Sequence, residues 1–481
     1  MTNFTEMQFK RQFSLTMHKN KKFNLSEMSF YKDFVNDKRG DLYPVLEKEG
    51  VFTEAVRNGK FHFESENDNS HTVRLLCSHF PYASFEIQPQ MLDGKCGFTY
   101  TSPTSRCDIL FTLENGKIIC ICGDSKVNSD IDFIPGCSLI VSARKQFFDI
   151  FINTDGYAKY ICTFQPEGFS DILKYDVFSS TTVGVYLSGN ITLGSVTSYM
   201  DCGLSQADMR PIRYENGEIM VENGKVYITM TIRLREEMYQ GVFSWIPGTA
   251  EFELTGAIFF DAGDGEWHGD VASSVLYHRA DKKWYIWACS FSHDHILCHT
   301  VADGDIRFGI NCLDVNLMNK MNENSIDTEF FGKEGDEDPD FIYDEITGKW
   351  YMAICRLTSG NGGGYKYHLF ESDRPFDGYK FVSANNHGAE TGGSFIKTPD
   401  GIYFACGNDF SKRANYRVYK IPDMTEFTEL KFNYDDGGFR GWGTVMPIKK
   451  GTRTEYYHLT FDRHNASYYN WSYGNLYCFK A

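Results

Sequence analysis

Apolar and polar residues alternate along most of the chain in short runs separated by turn residues. Asn-Gly and Asp-Gly stand between two apolar runs in TLENGKIICICGDS (112–125) and FDIFINTDGYAKYICTF (148–164). A two-residue connection of this kind is the strongest short-range signal for a β-hairpin. The same pattern returns in VENGKVYITMTIR, YHRADKKWYIWACSF, YDEITGKWYMAICR and KTPDGIYFACGN. It predicts an all-β protein, with helices only near residues 28–36 and 314–321.

The rhythm of the strands changes near residues 189–205, which predicts a domain boundary. A chain of 481 residues is too long for one ordinary core, so two or three domains are expected. Residues 75–198 have short strands at hairpin spacing, which favour a β-sandwich, a jelly roll. Residues 1–74 are more polar and less regular, and we interpret them as a lead-in region. Residues 199–481 form the remaining predicted domain.

This last domain contains five strand–turn–strand units, each with an aromatic second strand: VYITM, WYIWA, WYMAI, IYFAC and YYHLT. Such a repeat is the signature of a β-propeller, here with five blades. The residues ahead of the five first strands, at intervals of 52 to 68 residues, are Asp208, Asp270, Asp338, Glu390 and Trp442. Because the innermost strands line the central channel, we expect these residues to meet at one end of it at equivalent positions.

Four of the five positions are carboxylic acids. One acid ahead of a strand is usually a solvated turn residue. Four acids converging in a channel cost stability through desolvation and repulsion, so a function is expected. Carboxylates without a Ser or Cys nucleophile motif suit cleavage of glycosidic bonds. One protonates the leaving oxygen, an ionised one attacks the sugar or activates water, and a third raises the pKa of the acid.

The order of Asp208, Asp338 with its following proline, and Glu390 resembles the motif order of the five-bladed propeller glycosidases of families 43, 62, 32 and 68. The segment EDPDFIYDEITGKWYM is similar to the arginine–aspartate–proline segment of the fructan-cleaving members. The resemblance implies that Asp208 is the base or nucleophile, Asp338 the transition-state and pKa modulator, and Glu390 the general acid. It implies that Asp270 binds a sugar hydroxyl.

The resemblance also implies the substrates: furanosides such as those of arabinose or fructose, or xylosides. By strand rhythm, residues 75–198 resemble the concanavalin-type lectin and glucanase modules. Two tryptophans, Trp267 and Trp442, are expected either to stack on a sugar ring or to pack between blades. The remaining predicted substrate ligands are Arg210, His293, Arg356, Arg463 and His464.

The segment SFSHDHILCHT places His293 and His295 on one strand face with Asp294 between them. A metal site needs a third ligand at firm spacing, and the sequence shows none. We therefore expect these histidines to contact substrate or to form buried hydrogen bonds, and we expect no metal or other cofactor.

The formal net charge of −16 disfavours nucleic acid and anionic membranes as partners, and favours a carbohydrate. The first residues lack the apolar segment of a signal peptide, no apolar run is long enough to span a membrane, and the fourteen cysteines form no C-x-x-C pair. These features predict a cytoplasmic protein with reduced thiols, in which a homo-oligomer is possible.

Three alternative functions stay open. The first is a carbohydrate-binding propeller without catalysis, which has no need of a protonated acid beside two anions. The second is a family 130-like glycoside phosphorylase, which needs basic residues in the channel to bind phosphate. The third is a protein-binding scaffold, whose channel does not usually concentrate acids.

Overall fold

The computed structural model describes residues 2–16, 21–26, 28–32, 43–67, 69–169, 171–293, 295–317, 336–357, 365–388, 390–408, 415–433, 442–461 and 475–481. Backbone contacts divide the chain into two compact units. The N-terminal unit contains Lys19–Asp201 and Gly265–Trp267, and the propeller unit contains Met1–His18, Cys202–Asp264 and His268–Ala481. No helix in the described ranges is long and apolar enough to cross a membrane.

Both units are built from strands, as predicted. Within the described ranges the helical segments are Tyr175–Phe178 and the 3-10 turn Phe291–His293. The helix predicted near residues 28–36 is wrong, because Ser29–Lys32 is a strand paired with the long strand Thr182–Met200. Pairing with an existing strand satisfies the backbone donors and acceptors that a helix would otherwise satisfy. In the second predicted helix Asn316–Leu317 is a strand, and residues 318–321 lie outside the described residues.

The N-terminal unit contains one antiparallel sheet of thirteen strands. Its strands are Ser29–Lys32, Val45–Glu49, Phe52–Arg57, Lys60–Ser65, His71–Ser78, Ala83–Thr101, Arg106–Glu114, Lys117–Cys122, Ser125–Asp132, Ser138–Arg144, Phe147–Asn153, Ala158–Phe164 and Thr182–Met200. A short strand, Asn24–Leu25, lies outside this sheet. Alternate residues of the long strands form the apolar core, which includes Phe85, Ile87, Phe98, Val183 and Val185. The sandwich predicted for residues 75–198 stays a prediction.

Two strands of nineteen residues, Ala83–Thr101 and Thr182–Met200, pair along their whole length. Gly94 and Gly189 lie opposite each other in this pair. A Cβ atom at Gly94 would lie 2.1 Å from the Ser188 carbonyl oxygen, and one at Gly189 would lie 2.4 Å from the Asp93 carbonyl oxygen. Only glycine permits this close approach, so the two residues allow the long strands to stay paired at this point.

The propeller unit contains five sheets, which have the arrangement of blades. The first sheet contains Ser205–Pro211, Val221–Glu222, Lys225–Arg233, Met238–Trp245, Phe252–Asp261 and Gly309–Asp314, and the second contains Arg213–Tyr214, Val271–His278, Lys283–Ser290, Ile296–Ala302 and Asn316–Leu317. The third sheet contains Asp336–Asp344, Lys349–Leu357, Tyr365–Ser372 and Lys380–Ala384. The fourth contains Glu390–Thr398, Gly401–Asn408, Asn415–Lys420 and Thr425–Glu429. The fifth contains Gln8–Thr16, Lys431–Asn433, Gly443–Lys450, Arg453–Phe461 and Asn475–Lys480.

The repeat in the sequence predicts a complete blade from each of five consecutive segments, and the third and fourth sheets follow this rule. The first sheet includes the later strand Gly309–Asp314, and the second includes the earlier strand Arg213–Tyr214. The fifth sheet needs the N-terminal strand Gln8–Thr16, which pairs antiparallel with Asn475–Lys480. Aromatic side chains join this composite sheet to the first sheet. Trp245 packs edge-on against Tyr457 with ring centroids 5.5 Å apart, and Phe13 packs against Phe252 at 6.2 Å. The ring therefore closes through both ends of the unit.

Apolar clusters fill the spaces between successive sheets. Burying a large side chain of this kind contributes roughly 1.5–3 kcal/mol, so these layers supply most of the cohesion of the unit. Each cluster contains side chains from two successive sheets. In order from the first sheet to the fifth, examples are Val242 with Ile286, Trp287 with Phe341, Tyr351 with Phe404, and Ile396 with Val445.

Beneath the channel mouth, a buried ion pair joins the inner strands. The guanidinium of Arg213 contacts the Asp340 carboxylate, and their side chains are 2% and 0% exposed. Ser274 donates its hydroxyl to the same carboxylate, and the Phe395 N–H donates to its second oxygen at 2.7 Å. Arg213 also donates to the Phe395 carbonyl at 3.0 Å. One ion pair thus fixes the second, third and fourth sheets relative to one another.

We expect Asp340→Ala to lower the free energy of unfolding by about 3–5 kcal/mol, because it leaves the buried Arg213 charge unpaired. Chemical denaturation followed by fluorescence measures this loss. The matched control is Asp373→Ala, which breaks the exposed Lys349–Asp373 pair and should have little effect because solvent screens it. The double variant R213M/D340L should recover much of the lost stability, since no buried charge remains. Equal losses in the single and double variants would contradict this account.

Candidate active site

A β-bulge recurs at one position in the inner strand of four sheets. The pairing register shifts between Ala207 and Arg210, Val271 and Ser274, Glu337 and Asp340, and Thr391 and Ser394. Inside each bulge one residue has a positive φ: Asp208 (52°), Ala272 (54°), Asp338 (49°) and Gly392 (61°). Bulges redirect side chains and are frequent beside active sites. Asp208 and Asp338 are therefore equivalent residues of the first and third sheets.

The bulges also show that the four predicted acids do not share one register. Asp270 and Glu390 lie two residues before the bulge residues Ala272 and Gly392, so in this register their equivalent in the third sheet is Asp336. The expectation of four acids at equivalent positions is therefore wrong. The bulge has the same position in all four strands, so it does not cause this difference; repeat spacings of 52 to 68 residues do not fix the register of each strand to within two residues.

Asp208 and Asp338 interact electrostatically across the channel. Burial, followed by the negative charge of Asp338, raises the pKa of Asp208 to about 6. Arg233, whose Nη2 lies 4.0 Å from Asp208 Oδ2, opposes this rise. Asp338 Oδ2 accepts hydrogen bonds from the Thr391 hydroxyl at 2.7 Å and from the Gly392 N–H at 3.2 Å. The two donors fix Asp338 in place beside a carboxylate that titrates near neutrality.

Arg210 lies two residues beyond Asp208 and is buried. Its guanidinium donates to the backbone carbonyls of Pro339 and, at 3.2 Å, Asp338. The charges of Asp340 and Asp338 contribute to raising its pKa. Arg210 was predicted to bind substrate, but this geometry makes it a positioning residue that fixes the backbone of Asp338.

Glu390 is enclosed by protein. Its Oε1 accepts from Arg417 at 2.5 Å, and its Oε2 accepts from the Tyr419 hydroxyl at 2.6 Å and the Asn385 amide at 2.5 Å. The side chain of Glu390 has 0% exposure. The next residue, Thr391, points to Asp338, so Glu390 points to the opposite face of its strand. A general acid must contact the substrate, and Glu390 has no exposed surface here; its role as the general acid stays a prediction.

Asp336 has the same structural character as its equivalent Glu390. Arg356 donates to both of its carboxylate oxygens, at 2.6 and 2.8 Å, and the Asp336 side chain is fully buried. Arg356 was predicted to bind substrate, but this bidentate pair occupies its guanidinium.

Glu337 is the carboxylate that the sequence analysis did not select. It occupies the same bulge position as Thr391 of the next sheet, and its side chain is 16% exposed. Its Oε1 accepts from the Tyr365 hydroxyl at 3.2 Å and lies 2.9 Å from His295 Nδ1. The sequence contained one signal for Glu337. Alternation along the D-E-D-P-D segment places its side chain on the opposite face of the strand from that of Asp336.

Asp270 is buried, and burial raises its pKa. Its Oδ1 accepts from the Ser292 hydroxyl at 3.0 Å and from the Ser292 N–H at 3.4 Å. The charges of Glu337, Asp338 and Asp270 all contribute, after burial, to raising the pKa of the Cys289 thiol well above its usual value. These three carboxylates therefore act electrostatically on Cys289, a residue of the second sheet.

The two predicted tryptophans have different surroundings. Trp442 is half-buried and lies against Gly392, where an added Cβ would be 2.8 Å from the Trp442 Cα. Trp267 belongs to the N-terminal unit, where its ring packs against Tyr175 at 6.1 Å and Phe178 at 4.8 Å. Trp442 is thus beside the Asp338 pocket, whereas packing accounts for Trp267.

Three predicted ligands remain: His293, Arg463 and His464. His293 contacts Ser290 and Ser292 through Nδ1, at 2.8 and 3.1 Å. Together with Asp264 and His268 it forms a group whose ligand atoms lie within 4.8 Å of one another, a geometry that can hold a metal. Arg463 and His464 lie outside the described residues.

No protein-family model matches the chain, and a search of curated proteins finds no match. Solved structures of propeller glycoside hydrolases share a low similarity with it. A family 117 glycoside hydrolase from the marine bacterium Zobellia galactanivorans is 10% identical, with a TM-score of 0.41 over 57% of this chain and 84% of that one. The α-L-arabinofuranosidase of Podospora anserina is 11% identical, with a TM-score of 0.37 over 58% and 91%.

The levansucrase of B. subtilis is 12% identical, with a TM-score of 0.38 over 56% of this chain and 82% of that one. Because every one of these TM-scores is below 0.5, we base the function on the geometry of this chain alone.

We expect Asp208→Asn to raise the free energy of unfolding at pH 7.5 by about 1–3 kcal/mol, because the ionised form of Asp208 is disfavoured in the folded state. The folded pKa of about 6 exceeds the ordinary aspartate pKa of 3.8. The free energy of unfolding of the wild type therefore falls as the pH rises from 3.8 to about 6. The difference between variant and wild type should be absent below pH 4, grow up to pH 6 and stay constant above it.

Asp281→Asn is the control of opposite sign. The hydrogen bond from Tyr285 lowers the pKa of Asp281, so this variant should lose stability at neutral pH and match wild type in acid. Denaturation curves from pH 3.5 to 8 measure both effects. A difference between Asp208→Asn and wild type that does not change with pH would contradict the assigned pKa.

We expect Gly392→Ala to destabilise the protein by about 2–4 kcal/mol, because a positive φ and a clash with the Trp442 backbone act together. Gly451→Ala is the matched control: Gly451 has a φ of 63°, and an added Cβ there has no neighbour within 4 Å. The free energy of unfolding of the control variant should fall by only about 1 kcal/mol, because the backbone conformation is its single source of strain. Thermal and chemical unfolding compare the two variants, and equal losses would exclude the clash.

Proposed function

We propose that the protein is a glycoside hydrolase whose site lies at the mouth of a five-bladed propeller, each of the five sheets being one blade. The observation that carries this proposal is the pair of equivalent bulge aspartates, Asp208 and Asp338. Asp208, with a pKa of about 6, suits a base or nucleophile that is ionised at neutral pH, and Asp338 is fixed next to it by two donors; a general acid completes the arrangement that glycosidic bond cleavage requires.

In this proposal Asp208 is the base or nucleophile. Above pH 6 it is ionised, and it either attacks the anomeric carbon or takes a proton from the water that does so. Asp338, fixed by hydrogen bonds from Thr391 and Gly392, stabilises the positive charge that develops on the sugar and raises the pKa of Asp208. The glycosidic C–O bond breaks, and water supplies the hydroxyl that replaces the leaving group.

We propose Glu337 as the general acid that protonates the leaving oxygen. It is partly exposed beside Asp338, whereas the Glu390 side chain has no exposed surface and is paired with Arg417. His295 contacts the Glu337 carboxylate at 2.9 Å and provides a route for its reprotonation from solvent. This role replaces the one that the sequence resemblance implies for Glu390.

The proposed substrates are small furanosides, of arabinose or fructose, or xylosides. Trp442, half-buried beside Gly392, offers a face on which a sugar ring can stack. Asp270 is 2% exposed, as buried as its equivalents Asp336 and Glu390, and accepts hydrogen bonds from Ser292, so we do not propose it as a sugar ligand. We also propose a cytoplasmic location and no nucleic-acid partner; the fourteen cysteines, all within the described residues, form no disulfide, which suits a reducing compartment.

A carbohydrate-binding propeller without catalysis is the second candidate. The observation that favours it is the enclosure of Glu390 by Arg417 and Tyr419, which leaves Thr391 at the corresponding bulge position. A phosphorylase has less support. Of the arginines predicted to bind phosphate, Arg210 is engaged by backbone carbonyls and Arg356 by Asp336.

The test is hydrolysis of nitrophenyl arabinofuranosides, xylosides and fructosides, and of the corresponding oligosaccharides, with and without phosphate. We expect Asp208→Asn and Glu337→Gln to lower the rate on oligosaccharides by about 10²–10⁴, the usual contribution of an acid or base. Glu337→Gln should lose far less activity on dinitrophenyl glycosides, because this leaving group needs no protonation. Asp344→Asn, at the outer end of the same strand, is the control and should stay active.

Each contrary result identifies a different alternative. If Glu390→Gln shows the leaving-group dependence and Glu337→Gln does not, Glu390 is the acid. Activity that requires phosphate indicates a phosphorylase. Sugar binding without turnover, unchanged in Asp208→Asn, indicates a binding protein and excludes the hydrolase.

A further inference from the structure

Two histidines of the propeller unit converge on one aspartate. The Nε2 atom of His268 lies 2.7 Å from Asp264 Oδ2, and the Nε2 atom of His293 lies 4.0 Å from the same oxygen. The imidazole rings are edge-on, with centroids 4.9 Å apart. One ligand atom from each residue can be chosen so that all lie within 4.8 Å of one another. The three donors thus enclose a single point.

The backbone holds two of these residues in place. The Phe260 N–H donates to the His268 carbonyl at 3.0 Å, and the His268 N–H donates to the Phe260 carbonyl at 2.8 Å. These two hydrogen bonds join the ends of the loop that carries Asp264. They therefore limit how far Asp264 can move relative to His268. Asp264 and His268 are four positions apart in DGEWH, with three residues between them, a spacing that the sequence analysis did not use.

The orientation of His293 is fixed from the other side of its ring. Its Nδ1 lies 2.8 Å from the Ser290 hydroxyl and 3.1 Å from the Ser292 hydroxyl, and Ser292 in turn donates to Asp270 at 3.0 Å. When Nδ1 carries the proton and donates to serine, the lone pair of Nε2 faces Asp264. Metal-binding histidines almost always have such a partner on the second nitrogen.

We propose that Asp264, His268 and His293 bind a zinc ion. Two imidazole nitrogens and one carboxylate oxygen are a recognised donor set for zinc, which they bind at about 2.0–2.2 Å. Tetrahedral donors at that distance are about 3.4 Å apart, so the separations of 2.7 and 4.0 Å adjust by less than about 1 Å. Asp264 and His293 are 45% and 25% exposed, which leaves the fourth position open to water.

Equilibrium dialysis of the full chain against zinc alone, with metal quantified by mass spectrometry, tests this site. We expect one zinc per chain, and a loss of affinity of at least about 100-fold in His268→Ala and in His293→Ala. Ser290→Ala should lose about 10-fold, as expected for a partner of a metal ligand. His387→Ala is the matched control, since it breaks another histidine–carboxylate pair, with Glu426 at 2.7 Å, and should bind zinc normally.

Replacement of zinc by cobalt adds a readout that is independent of any glycosidase activity. Nitrogen and oxygen ligands give tetrahedral cobalt bands in the visible region without the near-ultraviolet band of thiolate ligation. Less than stoichiometric zinc, binding unchanged in both histidine variants, or a thiolate spectrum would each overturn the proposal. These outcomes do not depend on whether the protein hydrolyses sugars.

Discussion

The buried Arg213–Asp340 ion pair is the constraint on which the propeller unit depends. Apolar layers between sheets are strong but permit sliding, because dispersion and hydrophobic contacts have little directional preference. A buried carboxylate that accepts from Arg213, Ser274 and the Phe395 backbone permits only one arrangement. Desolvation of both charges makes any misaligned alternative costly. The ion pair therefore sets the register in which the inner strands face each other.

That register decides what the acids at the channel mouth can do. Asp340 lies just after the bulge of its strand, and the bulge residue Asp338 lies two residues earlier, beside Asp208. The alternate residues Asp336 and Glu390 face into the protein, where Arg356 and Arg417 neutralise them. The inner strands thus separate Asp336 and Glu390, which are paired with arginines, from Asp208 and Asp338, which repel each other. This repulsion lowers stability, and such a cost is most often found at functional sites.

The sequence was most informative where local chemistry decides the structure. Asn-Gly and Asp-Gly turns and alternating aromatic strands predicted the hairpins, and their repetition predicted the blades. The sequence-based prediction failed for Ser29–Lys32, because this segment has no helical preference strong enough to prevent its pairing with a long strand. The strand Gln8–Thr16 was also missed, because its partner lies at the opposite end of the chain. Both are non-local pairings, which no local pattern reports.

For the site, the sequence by itself determined the residue types and their order: acids recurring at the start of inner strands, with Asp208 and Asp338 among them. Only the tertiary structure decided which acids face each other. The bulges place Asp208 and Asp338 in one register and Glu390 in another, next to Arg417 from two strands away. A carboxylate gains its role from burial and from the charges around it, and these come from strands distant in the sequence.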